Sequence, residues 1–192
     1  MSDVAVRRMT LDEFLLWDDG TDTRYELISG CPVAMAPGME DHGVLAARLA
    51  ARLENALISR RPCRAIAEAG ILDPDRADTF FVVDIGVTCA PREPRRQYMQ
   101  DPMLLVEILS PSTERRDRKV KVPAYQRIPS VQEILLVDSD SRYAEIHRRQ
   151  GEQWIIQIIN KPEGTIPLAS VGIEIPMSEL YEGFTFGDDP EA

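Results

Sequence analysis

The sequence predicts a mixed α/β fold: a central mixed sheet flanked by helices, with an N-terminal hairpin and a C-terminal β-meander. Three observations predict it. Apolar runs of strand length, rich in Val, Ile, Leu and Phe, occupy 80–87 and 103–109, as strands near the middle of a sheet do. A long amphipathic stretch at 40–60 precedes them, and three further strand-like runs lie between 132 and 159. Strands and helices do not alternate as regular βαβ units, so the sheet is expected to be mixed.

Each element has a local cause. Thr10-Leu11-Asp12-Glu13 has the form of a capping box and opens a short helix through Trp17. Arg24 to Ile28 and Cys31 to Ala36 flank Ser29-Gly30, a two-residue hairpin turn. In the stretch from Glu40 to Arg60, Val44, Leu45, Leu49, Leu53, Ala56 and Leu57 recur at helical spacing, so this stripe is expected to pack on the sheet. Ala65 to Leu72 reads as a strand ended by Asp73-Pro74-Asp75. A proline- and arginine-rich connection runs from Pro91 to Pro102. A short helix is expected over Val122 to Arg127, beginning near Val120 or later, because Pro123 lacks an amide hydrogen and fits only a first turn. Gln132 to Asp138, Tyr143 to Arg148 and Gln153 to Ile159 form the meander, and Ile173 to Ile175 with Met177 to Tyr181 close the fold.

With 192 residues, 44% of them hydrophobic, the chain can bury one substantial core. The expected organisation is an N-terminal arm (1–8), a single domain (9–183) and a flexible acidic tail (184–192). No apolar stretch is long enough to span a membrane and the first residues lack a signal-peptide core, so a soluble, cytoplasmic protein is expected. The three cysteines are far apart and form no C-x-x-C spacing, which indicates neither a disulfide framework nor a zinc site. A net charge of −10 argues against nonspecific affinity for nucleic acid. Local charge differs: Arg92 to Arg96 and Arg115 to Lys121 are basic segments, each following one of the two long apolar runs.

Those runs each carry one carboxylate, Asp84 and Glu107, where a sheet interior would have none. An ionised carboxylate there must meet a cation or stay protonated. Two carboxylates on adjacent strands, with a backbone carbonyl, are the hard oxygen ligands that Mg²⁺ prefers. A buried ion pair with a nearby arginine explains them equally well. Asp117, Lys121 and Tyr125 follow at four-residue intervals, on one face if helical throughout. Lys121 is either a solvated surface charge or a group that orients an attacking water and balances charge on a phosphate. Glu26 is a third acidic group or an arginine's partner; His42, at the head of the long helix, contacts a phosphate or carboxylate, or simply caps and packs. Ser110, Ser112 and Thr113 lack a nucleophile elbow around them and read as turn and cap residues.

Taken in order, Arg24-Tyr25-Glu26-Leu27-Ile28-Ser29-Gly30, His42, Asp84, Val106-Glu107-Ile108-Leu109-Ser110-Pro111-Ser112-Thr113 and Asp117-x-x-x-Lys121-x-x-x-Tyr125 closely resemble the Uma-two family over residues 9 to 183. That family of prokaryotic proteins is placed in the restriction-endonuclease-like PD-(D/E)XK superfamily. The resemblance implies a restriction-endonuclease-like core and a nuclease centre using Mg²⁺ or Mn²⁺, with Asp84 and Glu107 as metal ligands and the Ile108 carbonyl beside them. Lys121 matches the displaced catalytic lysine, since Leu109 stands where the superfamily pattern has one. Glu26, His42, Asp117 and Tyr125 take supporting places. Arg115, Arg116 and Lys119 are the residues expected to meet DNA, and exposed edge strands in the meander offer a route to a homodimer. The departures are Val83, in place of the proline before the aspartate, and Pro123, which threatens the placement of Lys121. A metal-dependent DNA nuclease is therefore the expected function; a noncatalytic binding or assembly module on the same fold is the alternative.

Overall fold

A computed structural model of the chain describes residues 8–186, so nearly all of the expected arm and the end of the acidic tail lie outside the described residues. Thr10 begins the first helix, α1 (Leu11–Leu15), with both halves of the capping box: its hydroxyl accepts from the Glu13 amide, and the Glu13 carboxylate accepts from the Thr10 amide. β1 (Tyr25–Ile28) and β2 (Cys31–Ala34) form the hairpin, whose turn residues Ser29 and Gly30 have φ of 52° and 78°. Positive φ at both positions matches the twist of the flanking strands. α2 (Glu40–Leu57) buries Leu45, Leu49, Leu53 and Leu57 and tightens into one 3₁₀ turn, Ile58–Arg60.

The remaining elements are β3 (Arg64–Leu72), β4 (Phe80–Thr88), β5 (Pro102–Leu109), α3 (Glu114–Arg116), a π turn (Asp117–Lys121), α4 (Val122–Arg127), β6 (Glu133–Asp138), β7 (Ala144–Gln150), β8 (Gln153–Ile159), β9 (Thr165–Leu168), β10 (Ile173–Pro176) and α5 (Met177–Leu180). The main sheet runs β2-β1-β4-β5-β6-β7-β8, with β3 also paired to β4, and β9 and β10 make a separate two-stranded sheet. β5 and β6 are parallel, as the helical crossover between them requires, and the other pairs are antiparallel.

Three apolar clusters hold the layers together. The α2 leucines pack with Ile85, Val106, Val137 and Ile146 on one face of the main sheet, closed over by Ile166, Ile175 and Leu180. On the opposite face Val122 and Tyr125 of α4 cover Phe81, Leu105, Leu109 and Leu136. Phe14 seats α1 on Leu27 and Phe80 beside the hairpin. Burying such side chains contributes about 1.5–3 kcal/mol each, which is why the helical stripes and not propensity decide where the helices sit.

Two expectations need correction. The helix over Val122–Arg127 lies where expected, but a helical stretch leads into it from Glu114, well ahead of Val120. The π turn admits the proline: the Val122 amide reaches back to the Asp117 carbonyl, a wider turn than an α-helix makes, ahead of the residue that has no amide hydrogen to give. Cys63 and Cys89 are joined in a disulfide, with Cys31 free. They sit one position beyond the register pair Arg64↔Thr88 that ends the β3–β4 ladder, a juxtaposition that their separation of 26 residues does not advertise. β9, where no element is expected from the sequence, contains Pro167; with β10 as its partner, the proline falls in a two-stranded sheet that has a free edge to hold it.

Candidate active site

Strand β4 changes partners along its length. Its ladder with β5 runs from Thr88 to Ile85↔Val106 and stops, and further on Phe80 pairs with Leu27 of β1. The next residues past the last β4–β5 pair are Asp84 and Glu107, so these two residues stand opposite each other where the strands part. The ladder on the other side is interrupted here as well: Glu68 of β3, between the pairs Ala67↔Ile85 and Ala69↔Val83, has φ of 50°.

Side chains take over where the ladder ends. The Val82 amide donates to Glu26 Oε1 at 3.0 Å, and its carbonyl accepts from Lys121 Nζ at 2.9 Å. The Ile108 amide donates to Asp84 Oδ2 at 2.7 Å. Lys121 Nζ also lies 3.0 Å from Glu26, 3.1 Å from Glu107 Oε1 and 3.4 Å from Asp117. The Tyr125 hydroxyl donates to Glu107 Oε1 at 2.6 Å. Arg116 reaches Glu26 at 3.2 Å, and His42 Nε2 lies 3.4 Å from Asp84 Oδ2.

The structure therefore brings together Glu26, His42, Asp84, Glu107, Asp117, Lys121 and Tyr125. Pro123 does not turn Lys121 away, because the π turn keeps Asp117, Lys121 and Tyr125 on the inner face. Ile108 enters through its amide. Of the residues expected to meet DNA, Arg116 is drawn into the cluster by Glu26, whereas Arg115 and Lys119 stay exposed outside it. Sequence reasoning missed the backbone of Val82, which no side-chain pattern marks, and Glu68, whose signal was one acidic residue opposite Asp84 in the strand register.

Burial divides the two carboxylates. The Asp84 side chain is 21% exposed and Glu107 only 2%, so Asp84 is the one solvent reaches. Burial pushes the Glu107 carboxyl well above the usual carboxylate range; Lys121 opposes the shift, while the charges of Asp84 and Asp117 add to it. Asp117 is raised by burial against the pull of Lys121. Burial would lower the Lys121 ammonium, but Glu107, Glu26 and Asp117 outweigh it and hold the proton more tightly than in a free lysine. Burial and then Glu107 keep the Tyr125 phenol protonated. His42 is raised by its hydrogen bond to Asp84, with burial opposing.

Among the described residues no group of three or more His, Cys, Asp or Glu side chains is arranged to hold one metal ion. The donor set nevertheless fits a hard divalent cation that keeps much of its water. Each carboxylate commits one oxygen to the protein, Asp84 Oδ2 and Glu107 Oε1, which leaves Oδ1 and Oε2 for a ligand. Among the described residues, Glu26, Glu107 and Asp117 share the fixed cations Lys121 and Arg116, and Asp84 pairs with His42. A buried surplus of negative charge of that kind is relieved by a divalent ion.

The class of fold is given by a match to a nuclease-like neighbour. A solved structure, that of a putative nuclease belonging to DUF820 from Anabaena variabilis ATCC 29413, superposes with a TM-score of 0.74, covering 90% of this chain and 97% of that one at 22% identity. Residues 11–178 match the Uma2 family, described as "Putative restriction endonuclease", and the chain belongs to that family. Two relatives come from Synechocystis sp. (strain ATCC 27184 / PCC 6803 / Kazusa). The uncharacterized protein slr1290 is 29% identical over 181 residues, spanning 93% of this chain and 94% of its own length. The uncharacterized protein sll1609 is 26% identical over 154 residues, spanning 77% of this chain and 85% of its own length.

Proposed function

We propose that this protein is a divalent-metal-dependent nuclease that hydrolyses phosphodiester bonds in DNA. One observation carries the reading: Asp84 and Glu107 stand opposite in register where β4 and β5 part, each with one oxygen uncommitted among the described residues, beside a buried lysine. Asp84 and Glu107, with the Ile108 carbonyl, would hold Mg²⁺ or Mn²⁺, which when bound polarises a phosphodiester and lowers the pKa of a coordinated water. Lys121 keeps its proton, so its part is to offset negative charge growing on the phosphate and not to act as a base. Tyr125 fixes the Glu107 rotamer by donating to Oε1, and His42 does the same for Asp84 from the solvent side.

The homodimer expected from the sequence belongs to the same proposal. Among the described residues β8 pairs only with β7, which leaves its outer edge with free backbone donors and acceptors there, and it exposes Ile155, Ile156 and Ile158. A second reading, a noncatalytic binding or assembly module, draws on one observation: Lys121 already satisfies four protein partners, as a purely structural lysine would.

Incubation of plasmid and single-stranded DNA with Mg²⁺ or Mn²⁺ separates the two. The nuclease gives nicked or shortened products, Asp84→Asn and Glu107→Gln each lower the rate by at least about 100-fold, and Mn²⁺ titration shows binding that both variants weaken. Cleavage that survives both substitutions sinks the mechanism. A folded parent that neither binds metal nor cleaves is the module.

A further inference from the structure

The Arg-rich connection between β4 and β5 folds back over the outer edge of β3 and encloses a cleft of about 480 Å³. The cleft is built, not incidental. The Met99 amide donates to the Gly70 carbonyl at 2.8 Å, the Gln97 side chain donates to the Leu15 carbonyl at 3.3 Å, and the Thr88 hydroxyl ties down the Gln100 carbonyl at 2.6 Å. Gly70 is required for this approach, because a Cβ there would lie 2.5 Å from the Gln97 carbonyl oxygen. Met99 is buried over Gly86, where a Cβ would come within 2.6 Å of its methyl group.

The charge inside this cleft runs against that of the chain. Arg64, Arg92, Arg95 and Arg96 line it, and its two acids are already paired, Glu68 with Arg24 and Glu93 with Arg96. Arg64 is held by the carbonyls of Ala90, at 2.6 Å, and Pro62, at 3.3 Å, which orient its guanidinium without neutralising it. Arg92 and Arg95 are exposed and make no ion pair among the described residues. Arg96 lies over the Tyr98 ring, 5.2 Å from its centroid. In a protein of net charge −10, three unneutralised guanidiniums gathered in a preformed groove are complementary to a polyanion. Their planar forks match phosphate oxygens.

The cleft also adjoins the carboxylates. Glu68 lines it and stands opposite Asp84 across the β3–β4 ladder, and the charge of Glu68 is felt at His42.

We propose that this cleft grips the sugar–phosphate backbone of DNA flanking the bond presented to Asp84 and Glu107, with Arg64, Arg92 and Arg95 on successive phosphates. The inference rests on the nuclease reading and assigns where its substrate lies. The full-length chain in EDTA is titrated against a short fluorescent DNA duplex over a range of salt concentrations, with polarisation as the readout. Arg92→Ala combined with Arg95→Ala is expected to weaken binding at least about tenfold and to flatten the slope of log affinity against log salt by about two, near 0.9 for each phosphate no longer neutralised. Arg92→Lys with Arg95→Lys keeps the slope. A charge-matched control, Arg76→Ala with Lys161→Ala, leaves it near the parent value.

If the double alanine variant retains the parent slope, or the control flattens it equally, the cleft is not the DNA site; cleavage by the parent would then leave the nuclease reading standing. If the parent neither binds nor cleaves, the nuclease reading falls and takes the cleft with it. Because Arg92 and Arg95 are exposed, an unchanged melting temperature separates weakened DNA binding from a disrupted fold.

Discussion

Lys121 shows how much of the site turns on one side chain. Its side chain, 7% exposed, meets the Val82 carbonyl and three carboxylates, so removing it strands buried acidic groups. Lys121→Met is expected to destabilise the protein by about 3–5 kcal/mol, as loss of one partner in a buried ion network does, read as a lower midpoint in urea denaturation. An unchanged midpoint would mean that solvent reaches the cluster. Asp84 and Glu107 are legible in the sequence because a carboxylate inside an apolar run is conspicuous. Lys121 is less legible: in Arg118-Lys119-Val120-Lys121 it looks like a surface charge, its four-residue spacing from Asp117 and Tyr125 leaves both roles open, and the family resemblance decides between them. The Val82 amide and carbonyl cannot be seen at all, since every residue but proline carries the same backbone groups.

At the scale of elements, what is written in short-range pattern is readable. The Thr10–Glu13 capping box, the Ser29-Gly30 hairpin and the leucine stripe of α2 are local, and each appears where its spacing puts it. The start of the Pro123 helix departs from expectation because a π turn is a compromise with tertiary packing: Val122, Tyr125 and Asp117 must all face inward, and no propensity encodes that. The Cys63–Cys89 link escapes the sequence for a related reason, as it follows from strand register and not from cysteine spacing. Thiol titration of the oxidised, denatured chain should find one reactive cysteine, Cys31, and three after reduction. Reduction should lower unfolding stability by about 2–4 kcal/mol, the usual worth of a link closing a loop of this size. Three free thiols before any reductant is added would show that the pair is not closed.

For the whole molecule, the sheet has two kinds of boundary. The β3 edge is covered by the arginine-rich connection, whereas β8 is left open with a neutral, isoleucine-rich strand, Gln153-Trp154-Ile155-Ile156-Gln157-Ile158-Ile159. In the proposed homodimer two β8 strands pair antiparallel about a twofold axis, a self-complementary arrangement. Sedimentation should then give twice the chain mass for the parent and the chain mass for Ile156→Lys, which puts a charge on that edge; a monomeric parent rules the pairing out. The change of partners along β4 has a further consequence, for how the gene can vary in length. Phe81 and Val83 pack on one face of the sheet and Ile85 and Val87 on the other, so the alternation of β4 switches at Asp84, and one residue inserted between Phe80 and Asp84, or between Val106 and Glu107, would break the match between these strands and their neighbours on which the switch depends. The same insertion in the Pro91–Asp101 connection would leave the register untouched. Relatives that keep the chemistry can therefore gain or lose residues around this sheet, but not within the few positions where β4 lets go of one neighbour and takes up another.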